Sequence, residues 1–321
     1  MGIVRAMTES AQRVFDRAAV RCHRERVARA GALEHYGFLY REVGARLLER
    51  LDEVTRRFPR ALDLGCHDGT LGALLAEGVG GAESGLETLI QCDLAPAMAA
   101  AAGAAGAGPA LAADEEALPF AERSFDLVLS NLSLHWTNDL PGALLQANLA
   151  LKPDGLFLGA MFGGATLHEL RTALMTAEAE LEGGAGPRVS PFAPLQDLAG
   201  LLQRAGFALP VADLDQITVT YPNALKLMDD LRGMGEANAV VGRRQTWSRR
   251  ETLLYAAELY QEEHGDSDGK VPATFEVLFI TAWRPDASQP QPLPPGSAKN
   301  RLADALGTQE IATGVKPGED S

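Results

Sequence analysis

At 321 residues, with 46% hydrophobic and 22% charged side chains, the chain can bury one α/β core of about 250 residues with irregular ends, or two smaller ones. Its 29 lysines and arginines against 43 aspartates and glutamates leave a net charge of −14, which argues against a nucleic-acid partner held by phosphate neutralisation. Cys22, Cys66 and Cys92 lack C-x-x-C spacing, so they suggest neither a disulfide framework nor a closed zinc site, and no apolar run approaches the ~20 residues of a membrane span.

No metal is expected. Reduced thiols and the lack of a signal-peptide apolar core place the chain in the cytoplasm. The spaced arginines Arg5, Arg13, Arg17, Arg21 and Arg24 would suit a transit peptide, but Glu9, Asp16 and Glu25 lie among them and read as a solvated helical face. Residues 1–38 are therefore expected to form an N-terminal arm or lid.

From residue 39 the apolar set Tyr40, Val43, Leu47 and Leu51 has helical spacing, closed by Pro59. Ala61 to Leu64 is a short strand running into the turn Gly65-Cys66-His67-Asp68-Gly69, with a helix over 70–77. A second strand at 88–92 ends at Asp93, before an alanine-rich helix from Pro96. A brief third strand lies at 110–112, and a buried fourth at 125–130. Asn138 or Asp139 caps a helix at 141–150 with Pro141 in its first turn. Lys152 to Gly155 reads as a turn and 156–162 as a fifth strand. Strands alternating with helices argue for a parallel sheet covered on both faces, and the non-alternating apolar strands agree.

The style changes after Gly163. Leu167, Leu170, Leu174 and Leu181 mark a long helix. Leu198, Leu201, Leu202 and Ala205 mark another, and two more lie at about 223–232 and 248–263, flanking a polar stretch at 233–246. The segment 273–283 is apolar on both faces and should lie inside the sheet. The proline-rich run after 285 begins a tail expected to be disordered to residue 321. The chain thus divides into 1–38, a core at 39–163, a helical region with a sixth strand at 164–270, a final strand at 271–284 and the tail.

Open parallel sheets bind ligands beyond the carboxyl ends of their strands. Four positions qualify. Asp63, Gly65, Cys66, His67 and Gly69 form a turn whose glycines allow close backbone approach, although a plain strand–helix joint would read the same. Asp93, with Leu94, follows the second strand, where a carboxylate can accept both ribose hydroxyls or simply cap the next helix. Asp114 and Glu115 follow the third, where an acid can accept from an adenine amino group or merely be solvated. Asn131, Ser133, His135 and Trp136 follow the fourth, facing cofactor and substrate if they are more than a packed turn. His135 and Trp136 are candidate catalytic residues, and no particular base is compelled. His168 and Glu169 are a further adjacent pair. Arg243, Arg244, Arg249 and Arg250 form a basic group that could dock an acidic partner.

In combination, Asp63/Gly65/Gly69, Asp93, Asp114, the strand Phe125-Asp126-Leu127-Val128 and the turn Lys152-Pro153-Asp154-Gly155 resemble a class I S-adenosylmethionine-dependent methyltransferase. That resemblance implies a Rossmann-like seven-stranded α/β sheet with a helical insertion and S-adenosylmethionine as cofactor. Residues 114–120 (DEEALPF), 133–140 (SLHWTNDL), 152–166 (KPDGLFLGAMFGGAT), 190–192 (SPF), 232–238 (RGMGEAN) and 271–274 (VPAT) are similar to the mitochondrial complex I assembly factors regarded as arginine hydroxylases on a methyltransferase fold. This match runs from about Phe15 to Trp283 and implies a protein partner, a respiratory complex I subunit. The malonyl-carrier-protein O-methyltransferases resemble the chain more distantly. His67 replaces the usual middle glycine, so its side chain must turn away from the cofactor or partly block it.

The expected function is methyl transfer from S-adenosylmethionine to a protein side chain or acidic small molecule. The alternatives are arginine hydroxylation of a complex I subunit, which rests on the resemblance alone, and a catalytically silent assembly factor.

Overall fold

A computed structural model describes residues 13–81, 84–290 and 307–308. The chain divides into two units, Met1–Asp286 and Ala287–Ser321. The strands and their helices belong to the first, and most of the tail expected to be disordered lies outside the described residues.

Among the described residues three helices precede the sheet: α1 (Arg17–Ala30), α2 (Leu33–Tyr36) and α3 (Phe38–Asp52). Asp16 caps α1 by accepting from the Ala19 amide, and Gly31 ends it in the left-handed conformation. Then follow β1 (Arg60–Leu64), α4 (Thr70–Ala76), β2 (Thr88–Asp93), α5 (Pro96–Ala105), β3 (Ala110–Ala112), β4 (Phe125–Asn131), α6 (Leu140–Ala150) and β5 (Leu151–Phe162). The second half supplies α7 (His168–Glu182), α8 (Leu195–Arg204), β6 (Ala208–Tyr221), α9 (Ala224–Met234), α10 (Arg250–His264) and β7 (Val271–Trp283).

The strands form one seven-stranded sheet in the order β3-β2-β1-β4-β5-β7-β6. The first five are parallel, and β7 inserts antiparallel between β5 and β6. The expected interior place of the 273–283 segment follows from its two apolar faces. Phe275, Val277 and Phe279 enter one core cluster, while Leu278, Ile280 and Ala282 enter the other. The first cluster includes α3, α7, α9 and α10 side chains, the second those of α6 and α8. The edge strand β6 alternates half-buried and exposed residues, as a strand covered on one face should.

Two expectations need correction. Lys152 to Gly155 is not a free turn but the start of β5. Lys152 Nζ reaches both Asp126 oxygens (2.8 and 2.9 Å), and the Gly155 carbonyl accepts from the Arg284 amide, so tertiary pairing draws these residues into the sheet. Leu181 does not join the buried stripe of α7. It is exposed, while Leu170, Ala173, Leu174 and Ala177 face the core.

Strand order reverses between β1, whose chain continues outward to β2, and β4 on its other side. Connections leaving in opposite directions open a crevice at the carboxyl ends of β1 and β4. The candidate site is built there.

Candidate functional site

The turn after β1 needs three positive φ values in five residues: Gly65 (+75°), His67 (+51°) and Gly69 (+93°). Gly65 and Cys66 both donate backbone N–H groups to the Cys92 carbonyl, folding the turn against β2. A Cβ on Gly65 would overlap the Ser133 hydroxyl, so glycine is required by space as well as by φ. Gly65→Ala is therefore expected to lower unfolding stability by more than about 2 kcal/mol in urea titration, since a left-handed penalty adds to the displacement of Ser133.

His67 turns its ring towards α3. The imidazole packs 4.2 Å from the Tyr40 ring, and Nε2 lies 3.2 Å from the carbonyls of Asn131 and Leu132. Burial, aided by the charge of Arg24, pulls its pKa down to about 4, so it is neutral and Nε2–H donates to those carbonyls. The imidazole does not plug the crevice. Asn131 also faces α3, donating its amide to the Tyr40 carbonyl at 2.8 Å.

Asp93, Glu115 and Asp114 are linked through two arginines that sequence reasoning missed, Arg24 and Arg17, and Asp63 is not. Asp93 Oδ1 accepts from the Ala95 amide (2.8 Å), and Oδ2 accepts from the His67 amide (3.1 Å) and Arg24 Nη1 (3.1 Å). Glu115, not Asp114, is the buried member of the acidic run. It accepts from Ser133 Oγ at 2.7 Å and pairs with Arg17 and Arg24. Burial alone would raise Glu115, but the two guanidinium groups and the hydroxyl outweigh it and hold the carboxyl at about 2. Asp114 stays at the rim, accepting from Arg17 Nη2 at 2.6 Å. Leu94 packs with Phe15 and Trp136, and Cys66 is buried in the turn. Asp63 is fully buried with neither carboxylate oxygen hydrogen-bonded. Burial, then the charge of Asp93, pushes its pKa up to about 8.

The acceptors suited to a nucleoside are thus present, yet with α1 docked they do not fit one. Asp93 and Glu115 are both 0% exposed, and the Arg24 guanidinium lies on them and on Ser133 Oγ (2.9 Å).

Beyond β4 the turn Leu134–Trp136 carries both candidate catalytic residues to a third carboxylate. Glu236, just past Gly235 at the end of α9, accepts from Tyr40 Oη (2.6 Å) and Trp136 Nε1 (2.9 Å), with His135 Nε2 at 3.2 Å. Burial would raise its pKa, but His135, Tyr40 and Arg24 overcome that and hold it at about 2. Glu236 lies on the wall of a cavity of about 240 Å³ that Trp136, Phe162, Phe192 and Phe275 also line, with Arg188 and Arg232. The RGMGEAN stretch held this residue, but nothing in its spacing separated it from surface acids. His168 and Glu169 sit elsewhere. Glu169 is buried against Thr274, and His168 is half exposed. Of the basic group, Arg243 pairs with Asp16 and Arg244 with Glu182.

Residues 62–159 match the family described as a methyltransferase domain. The arginine hydroxylase NDUFAF5 of Danio rerio, a mitochondrial protein, is 43% identical over 292 residues, covering 91% of this chain and 89% of its own. The malonyl-[acyl-carrier protein] O-methyltransferase of Methylovorus sp. (strain MP688) is 35% identical over 284 residues, covering 85% and 91%. Among solved structures, the YcgJ protein of Bacillus subtilis superposes with a TM-score of 0.52 at 14% identity, covering 76% of this chain and 98% of that one, which is a likeness of fold. The mitochondrial relative overturns the cytoplasmic expectation: free cysteines cannot tell cytoplasm from the interior of an organelle. Similarity over nearly the whole of both chains, on this sheet order, means that the protein belongs to the arginine-hydroxylase NDUFAF5 family within the class I methyltransferase fold.

Proposed function

We propose that the chain is an enzyme that inserts an oxygen atom into an arginine side chain of a partner protein, a subunit of respiratory complex I. The observation that carries this reading is Glu236, a buried anion on the wall of a cavity lined mostly by aromatic and aliphatic side chains, whose two arginines are held by other acids, Arg188 by Glu178 and Arg232 by Asp229. A guanidinium is the cation such a wall suits. It stacks flat on Trp136, Phe162 or Phe192 while its N–H groups reach a carboxylate. The cavity holds on the order of eight water volumes, room for one long side chain. Three donors fix Glu236 from α3 and from the turn after β4, so its charge is aimed before any substrate arrives.

A second reading, methyl transfer to the same side chain, is favoured by the Gly65 turn and by Asp93 at the crevice. In it S-adenosylmethionine supplies the methyl group, with Asp93 and Glu115 the residues to hold its nucleoside once Arg24 leaves them. The test is mass spectrometry of arginine-containing peptides from candidate partners, incubated with the full chain, S-adenosylmethionine, dioxygen and a reductant. A gain of one oxygen mass on an arginine is expected. A gain of one methylene mass would establish the second reading. No mass change on any partner, with the chain folded, would refute both and leave a silent assembly factor.

A further inference from the structure

The buried contact between α1 and the crevice is unusual in kind. Three residues of α1 are buried, Val20, Arg24 and Val27, and the largest of them is a cation. Its guanidinium touches Asp93, Glu115 and Ser133, three side chains with no exposed surface left. About two turns earlier on the same helix, Arg17 takes Asp114, the second oxygen of Glu115 and the Trp136 carbonyl. Two arginines on one face therefore saturate the carboxylates at the ends of β2 and β3, where the crevice of such a sheet receives a ribose and a base. A core helix is held by apolar area. This one buries two apolar side chains, Val20 and Val27, beside the Arg24 guanidinium, so buried ion pairs supply much of its hold.

The residues just before the helix are tied down chiefly by the 239–243 segment. Phe15 bridges to Val240, the Asp16 amide donates to the Ala239 carbonyl at 2.8 Å, and Arg243 pairs with Asp16 Oδ2 at 2.9 Å. Asn138 Oδ1 accepts from the amides of Val14 and Phe15 (2.9 and 2.8 Å), and Glu25 accepts from the Ala97 amide at 3.0 Å. The segment that makes the first three contacts begins three residues after Glu236. The strap and the wall of the arginine cavity thus share a backbone.

We infer that α1 is a removable strap whose Arg24 competes with an adenosine-type cofactor for Asp93 and Glu115. This rests on the reading of the crevice as a nucleoside site and adds its regulation. The cofactor binds only molecules whose strap has left, so its apparent affinity is the intrinsic one reduced by the open fraction. Anything that binds the 239–243 segment and frees Asp16 raises that fraction. Docking of the partner protein is the natural way to do so, because this segment borders the cavity that takes its side chain.

The strap is tested on the full-length chain by titrating S-adenosylhomocysteine in a calorimeter against wild type, Arg24→Ala and the double variant Asp16→Ala/Arg243→Ala. Arg24→Ala is expected to bind at least about tenfold more tightly than wild type, and the latch variant, which leaves the crevice untouched, about threefold. Should Arg24→Ala fail to fold with Asp93 and Glu115 unpaired, the latch variant carries the comparison. Hydrogen exchange of the α1 amides gives an independent readout. The ligand must accelerate exchange over residues 17–30 if it displaces the strap. Equal affinity in all three proteins, or protection of α1 by the ligand, overturns the strap while keeping the nucleoside site. No binding by any of them overturns the strap and the nucleoside reading together.

Discussion

Glu236→Gln is expected to cost between about a hundredfold and a few thousandfold in kcat/KM for an arginine-containing partner peptide. Removing one member of a buried charged pair typically costs about 3–5 kcal/mol, and about 1.4 kcal/mol is a factor of ten. Glutamine keeps the shape of the side chain but removes its charge and turns one acceptor oxygen into a donor. Trp136 Nε1 can only donate, so the new amide must turn its nitrogen to Tyr40 Oη, whose proton then goes to the Met234 carbonyl and no longer to residue 236. Because Glu236 is held at about 2, the wild-type group stays anionic through the neutral range, and the deficit of the variant should not be recovered by changing pH between about 5 and 8. Trp136→Phe keeps an aromatic face but loses the indole's pyrrole ring and its one hydrogen bond to Glu236, so it should cost only about tenfold. Steady-state kinetics beside thermal melting decides the matter. Unchanged kcat/KM in a folded Glu236→Gln protein removes the guanidinium from that cavity.

Asp63→Asn should stabilise the protein at alkaline pH by several kcal/mol and have little effect in acid. Asp63 is fully buried without a hydrogen-bond partner, and burial and Asp93 push its pKa up to about 8. In the unfolded chain the value is about 3.9. The folded state therefore holds the proton more tightly. The stability tied to that proton is fully present below about pH 4 and is lost as pH rises through about 8, a total on the order of 5 kcal/mol. Asparagine cannot ionise and escapes that loss. Urea titrations of both proteins at about pH 4 and pH 8.5 test the sign. The two curves should converge in acid, and the wild type should be the weaker in base. A wild type whose stability rises with pH relative to Asp63→Asn would mean that the carboxylate has a partner that holds it charged.

The sheet was readable along the chain because its signals are local. Runs such as Ala61 to Leu64 and Phe125 to Ser130, each closed by a turn or a polar end, need no distant partner to be recognised. The segment ending at Trp283 announced its interior place by being apolar at both odd and even positions, since two buried faces leave no polar alternation. Glycine at 65 was legible for the same reason: only a residue without Cβ tolerates that turn.

Charge was a different matter. Arg24 looked like one more arginine on a solvated helix, and Glu115 like one more acid in a polar run, because a charged side chain looks the same in sequence whether water or an opposite charge surrounds it. Only the packing of α1 against α5 and the crevice put Arg24 among Asp93, Glu115 and Ser133. Only the end of α9 meeting the turn after β4 turned Glu236 into a buried anion. The sequence by itself determined the strands, their bends and the carboxylates at their ends, since backbone geometry and apolar periodicity act over a few residues. The tertiary structure decided which of those carboxylates are covered, by which cations, and where a cavity is left. A buried ion pair links residues up to about a hundred positions apart, as Arg24 and Glu115 are, and no local pattern encodes that separation.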